Sequence, residues 1–173
     1  RAVQDPYTKV FSAQVWQPEN PYSWEHLRPK GGEPPLIYEA HIGMSTEQHK
    51  VSTFTEFRLF VLPRIANLGY NVLQLMAIQE HPYYGSFGYQ VSNFFAVSSR
   101  FGTPEELKEL IDAAHGLGIR VILDLVHSHS VSNEAEGLSL FDGTEYQYFH
   151  RGSRGRRPAW DSRCFDYGKL SVV

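Results

Sequence analysis

Apolar positions along the chain fall into two alternating textures. Short, nearly continuous apolar runs stand at 35–43 (PLIYEAHIG), 70–78 (YNVLQLMAI) and 118–129 (GIRVILDLVHSH). Between them lie longer stretches with apolar residues at helical spacing, FTEFRLFVLPRIANLG and ELKELIDAAHGLG. The first texture predicts strands covered on both faces, as in a parallel sheet, and the second predicts amphipathic helices packed on that sheet. Helix boundaries are marked as well. Thr53 with Glu56, and Thr103 with Glu106, form the Thr-x-x-Glu box in which each side chain satisfies an amide of the first turn. Pro104 takes the first helical position, where a missing N–H leaves nothing unpaired. Gly69 and Gly118 stop the two helices, since glycine tolerates the left-handed turn that ends them. Pro63 falls inside the first helical pattern and predicts a kink or restart there.

The two helix–glycine–strand units repeat one another, with Leu68 aligned on Leu117 and Gly69 on Gly118 at a spacing of 49 residues. Strand, helix, strand, helix, strand predicts right-handed βαβ units, and hence α/β architecture as a (β/α)₈ barrel or a doubly wound sheet. Both folds place their sites at the C-terminal ends of the strands. Residues 1–35 break this regularity with Pro18, Pro21, Pro29, Pro34 and Pro35, and predict an extended segment with one short strand at Val10 to Val15. Residues 79–102 predict a long aromatic loop, in which Gly85 and Gly88 allow close turns among Tyr83, Tyr84, Phe87 and Tyr89. Such a loop either packs over the mouth of the sheet or offers a platform for a sugar ring, with Tyr89 or Gln90 supplying hydrogen bonds.

Candidate chemistry gathers at the end of the third strand. Asp124 is a carboxylate inside an apolar run, which is costly unless it is paired or hydrogen-bonded. A structural ion pair and a site role both answer that cost, and the C-terminal position favours the site. His127 and His129 are two residues apart, so an extended chain can turn both to one face and a two-histidine metal site is sterically possible. No further clustered His, Asp or Cys ligands accompany them, and the reading is of no metal and no cofactor. The run RGSRGRR at 151–157 predicts an exposed basic loop. A net charge of −3 disfavours nucleic acid as a partner, and no apolar run reaches membrane length. Cys164 is the one cysteine, which fits a reducing compartment. Aromatic residues make up 14% of the chain, enough for both a dense core and exposed surfaces that stack on flat ligands.

Several segments, in order, carry a resemblance: IYEAHIG, LGYNVLQLMAI, SFGYQ, SSRFGTPEELKELIDAAHGLGIRVILDLVHSH, GLSLFDGT, YFH and WDSRCFDY. Together they resemble the 1,4-α-glucan branching enzymes of the α-amylase superfamily (glycoside hydrolase family 13), with the eukaryotic-like branch nearest. The resemblance implies the first three strands of a (β/α)₈ barrel over 36–173, with an insertion after the third strand from about 130. It implies that 1–15 end an N-terminal carbohydrate-binding β-sandwich and that 16–35 are a linker. It further implies that Asp124 is a buried carboxylate orienting the catalytic machinery, that His129 hydrogen-bonds the sugar undergoing bond breaking, and that Tyr89 stacks on that sugar. Ser128 stands where many amylases have Asn, which argues against structural calcium, and His127 has a structural part only. The nucleophile Asp and the acid/base Glu of such enzymes follow later strands, beyond residue 173, so none is expected here and these residues alone are expected to be inactive. The implied partner is an α-glucan such as glycogen, amylose or amylopectin, and the implied location is the cytoplasm, or the plastid in a plant. Debranching or trehalose-forming hydrolysis, and glucan binding without catalysis, are the rival readings.

Overall fold

The computed structural model describes residues 1–173. The chain opens as an antiparallel hairpin of β1 (Ala2–Gln4) and β2 (Phe11–Ala13), where the sequence predicts a single strand. Residues 16–35 carry neither helix nor strand. β3 (Ile37–Ala40) begins the main sheet. At the next helix both halves of the capping box form: Glu56 N–H donates to Thr53 Oγ1 at 3.2 Å, and Thr53 N–H donates to Glu56 Oε2 at 3.1 Å. The helix runs in three pieces, α1 (Phe54–Glu56), a π-helical turn (Phe57–Val61) and α2 (Leu62–Asn67). Pro63 gives the reason, because its ring crowds the carbonyl four residues back and it has no N–H to donate. One widened turn, in which the Leu62 N–H reaches the Phe57 carbonyl five residues back, carries the helix past the proline without a break.

Gly69 ends this helix at φ +84°, and β4 (Val72–Leu75) follows. The predicted long loop is partly regular: β5 (Gln79–Glu80) and β6 (Asn93–Val97) pair as an antiparallel ribbon. Glu80 holds that ribbon together from inside. It is fully buried, and its carboxylate accepts from the Ser99 N–H at 2.7 Å and from the Ser98 hydroxyl at 3.2 Å. α3 (Pro104–Gly116) carries the second capping box, ends at Gly118 with φ +76°, and leads into β7 (Arg120–Leu123). A second small sheet then forms from β8 (His129–Val131), β9 (Arg156–Arg157) and β10 (Ser162–Cys164), in the order β8-β10-β9. The basic run at 151–157 is therefore partly a strand, and its Arg156 pairs with Glu145 at 2.6 Å.

β3, β4 and β7 form a parallel sheet in that order, with Ala40, Leu75 and Leu123 in register at its C-terminal edge. The main core lies between this sheet and the helices, where Phe54, Phe57, Leu62, Ile65, Leu73, Leu75, Phe101, Leu110 and Ile119 are each at most 1% exposed. Burying each of these side chains contributes roughly 1.5–3 kcal/mol. The helices pack on one face of this sheet only. On the other face, within these residues, Ile37 is 46% exposed and Ile122 is 42% exposed. Residues 16–35 lie against α3 through Asp112, whose carboxylate accepts from the Tyr22 hydroxyl (2.8 Å) and from the Glu25 and His26 amides (2.9 Å each). The Glu25 N–H foremost, then the Tyr22 hydroxyl and the His26 amide, hold Asp112 down to about 2. No helix is long and apolar enough to cross a membrane.

Candidate functional site

The parallel arrangement of β3, β4 and β7 sends every loop after a strand to one edge of the sheet. Asp124 is the first residue beyond β7, and its N–H donates to the Leu75 carbonyl at 3.0 Å. That last ladder bond fixes the carboxylate at the strand end. Within these residues Asp124 is half-buried and sits just outside the strand. One strong donor satisfies it.

That donor is Tyr89, whose hydroxyl lies 2.7 Å from Asp124 Oδ2. Burial first, then the hydrogen bond to Asp124 and its charge, push the Tyr89 phenol up to about 12. The phenol thus stays protonated, and a donor, at any ordinary pH. Gly88 makes this position reachable. It has φ +92°, and a Cβ there would lie 2.0 Å from the Ala77 carbonyl oxygen. Only glycine lets the loop press this closely on the chain leaving β4, and Tyr89 is the next residue.

His129 opens β8 and meets the same tyrosine from below. Its Nε2 lies 2.8 Å from the Tyr89 carbonyl oxygen, and its Nδ1 lies 2.8 Å from Ser128 Oγ. A carbonyl only accepts, so Nε2 carries the proton, and in the neutral ring Nδ1 accepts from the Ser128 hydroxyl. The three residues singled out by sequence, Tyr89, Asp124 and His129, are therefore one connected group with Tyr89 in the middle. Both nitrogens of His129 are already engaged, so a sugar hydroxyl at Nε2 would replace the Tyr89 carbonyl. His127 is exposed and turns its Nδ1 to the Leu125 carbonyl at 3.1 Å, apart from this group. No three His, Cys, Asp or Glu side chains gather in a way that could hold a metal ion.

A cleft of about 390 Å³ opens beside the group, lined by Ser86, Tyr89, Gln90, His129 and Trp160. Two aromatic rings and three side chains able to hydrogen-bond suit linked pyranose units, which have apolar C–H faces and a rim of hydroxyls. Gln90 donates to the Trp160 carbonyl at 2.9 Å. Trp160, like Ser86, is a cleft residue that the sequence reading did not single out. The signal for Trp160 is an aromatic residue three positions after the basic run, in RRPAWDSR, and its partner Gln90 is 70 positions away.

Parallel strands with helices on one face, and a cleft at the C-terminal strand ends, define a barrel-type α/β domain. Comparison with known proteins narrows this. Residues 61–165 match the alpha amylase catalytic domain, and the chain belongs to that family. It is 59% identical over 167 residues to a 1,4-alpha-glucan-branching enzyme of Eremothecium gossypii, covering 94% of this chain and 24% of the relative. It is 59% identical over 168 residues to a 1,4-alpha-glucan-branching enzyme of Saccharomyces cerevisiae, with the same coverage of 94% and 24%. A crystal structure from Salmonella typhimurium described as an alpha amylase superposes with a TM-score of 0.72 at 30% identity, over 88% of this chain and 24% of that one. The chain thus spans about a quarter of the length of the relatives it matches.

Proposed function

We propose that this chain is part of a 1,4-α-glucan branching enzyme, which cuts an α-1,4 link and passes the freed chain to a 6-hydroxyl to make an α-1,6 branch. The observation that carries the reading is the Tyr89–Asp124 hydrogen bond at the strand ends, with His129 bound to the same tyrosine. The 59% identity to two branching enzymes supports the choice of activity. In this reading the Tyr89 ring stacks on the glucosyl unit at the broken bond and the Asp124 carboxylate orients neighbouring groups. His129 offers its Nε2 proton to a sugar hydroxyl. None of the three is the nucleophile or the acid/base.

The reaction is a retaining double displacement. One carboxylate attacks the anomeric carbon while a carboxylic acid, roughly 5 Å away, protonates the leaving oxygen. The resulting glucosyl ester is resolved by the 6-hydroxyl of a second glucose, whose proton returns to the same acid/base group. No cofactor or metal takes part. We extend the reading to an N-terminal carbohydrate-binding module ending at residues 1–15, a linker over 16–35, and the cytoplasm or plastid as location. The single free Cys164 suits a reducing location.

The test incubates amylose with the full-length gene product and follows both iodine staining and the anomeric proton signals. Loss of stain with growth of α-1,6 signals, and no net release of reducing ends, supports branching. Release of reducing ends without new α-1,6 links assigns the protein to hydrolysis instead. Binding of amylose with no change in linkage assigns it to glucan recognition without catalysis.

A further inference from the structure

We infer that Trp160 is a second stacking platform of the cleft, and that it sets the preference for an extended glucan chain over a short sugar. The inference rests on the reading of the cleft as a glucan site. Trp160 is 57% exposed, although burying such a ring would stabilise the fold. Nothing in the core holds it. Its place is set instead by its backbone and three neighbours. The 3₁₀ turn Pro158–Trp160 ends at Asp161, a non-glycine residue at φ +43°. The Asp161 carboxylate accepts from the Ser132 hydroxyl, and the Ser132 N–H donates to the Asp161 carbonyl at 3.1 Å, so the turn is tied to the chain leaving β8. Gln90, one residue after Tyr89, holds the Trp160 carbonyl. The Arg157 guanidinium stands 5.1 Å from the centre of the Trp160 ring. Arg157 lines a separate polar cavity of about 310 Å³ that shares no residue with the cleft.

Inside the cleft the order of groups is set by contacts. Tyr89 is joined to Asp124 at the strand end, His129 is joined to Tyr89, and the Trp160 ring lies 6.0 Å from the His129 ring at a tilt of 48°. A sugar stacked on Tyr89 sits at the reacting end. The next units of the same chain pass His129 and reach Trp160, whose exposed face offers the apolar surface that a pyranose C–H face needs. A short sugar held at Tyr89 gains nothing from Trp160, whereas a longer chain gains from both.

The test measures maltose and maltoheptaose affinity calorimetrically on the full-length gene product, its Trp160→Ala, Trp160→Phe and Tyr89→Ala variants, with a thermal melt of each. Trp160→Ala is expected to weaken maltoheptaose about tenfold, to leave maltose within about twofold, and to keep the melting temperature. Trp160→Phe is expected to recover most of the loss. Maltoheptaose binding to Trp160→Ala within about twofold of the parent overturns the inference, as does an equal loss for both sugars. If the parent binds neither sugar, the glucan reading falls and takes this inference with it. If Tyr89→Ala weakens both sugars while Trp160→Ala weakens neither, the glucan reading stands and only the role of Trp160 falls.

Discussion

Gly88 is where a single methyl group tests the geometry of the site. At φ +92° an L-residue is strained by about 1–2 kcal/mol. The added Cβ would also stand 2.0 Å from the Ala77 carbonyl oxygen and 2.9 Å from its carbon, and ordinary contact begins at 3.4 Å. The atom it meets is backbone next to β4, in the best-buried part of the sheet, so the loop must give way by roughly 1 Å. Tyr89 is the adjacent residue and moves with it, which stretches its 2.7 Å bond to Asp124 past hydrogen-bonding range. A misplacement of about 1 Å in a group that positions substrate costs on the order of 100-fold in rate. Gly88→Ala in the full-length gene product is therefore expected to lower branching, read by iodine stain, about 100-fold. The melting temperature should fall by only a few degrees, since the strain is about 1–3 kcal/mol. Gly85→Ala is the control: its φ is not positive, and its Cβ would meet only the movable phenol of Tyr83. Near-parental turnover in Gly88→Ala, alongside an unchanged Gly85→Ala, would refute the argument that this loop is pinned to place Tyr89.

Three further outcomes follow from the same structure. Tyr89→Phe keeps the ring and removes one hydrogen bond to a charged group, worth about 1–2 kcal/mol after allowance for partial exposure, so kcat is expected to drop about 5- to 30-fold while the melting temperature falls by at most a few degrees; an unaltered kcat would remove the hydroxyl from the mechanism. His81 is fully buried, and burial first, with the Arg100 and His41 charges adding, holds its imidazole down to about 4 despite the Gln79 carbonyl. A depressed histidine favours the neutral ring in the fold. Its stability contribution is complete above about pH 6.5 and is lost as pH falls toward 4, a change on the order of 3 kcal/mol. Glu80 beside it is raised by burial and acts in the opposite direction, so the slope is read as the difference between parent and His81→Asn in denaturant titrations at each pH, and equal slopes would count against it. Asp112→Ala removes the acceptor for Tyr22, Glu25 and His26, and limited proteolysis is expected to cut within 16–35 faster than in the parent; equal rates would show that this segment is held by other contacts.

Local signals in the sequence were enough for the helix starts and stops. The boxes at Thr53 and Thr103, the stops at Gly69 and Gly118, and the three parallel strands all form where residues within four positions of one another specify them. The grouping of Tyr89, Asp124 and His129 was legible through resemblance, and the bonds among them are what the structure adds. Tertiary structure alone decided the rest. A proline inside a helical pattern allows a kink, a restart or a widened turn, and the fold takes the π-helical turn at Phe57–Val61 with Phe57 and Leu62 in the core. Asp112 in an amphipathic helix reads as a solvated acid, and became the anchor of a segment about 86 residues earlier. Trp160 reached the cleft through Gln90, 70 residues away. Such contacts depend on loop closure and on the shape of surfaces built elsewhere in the chain, and no periodicity along the sequence records them.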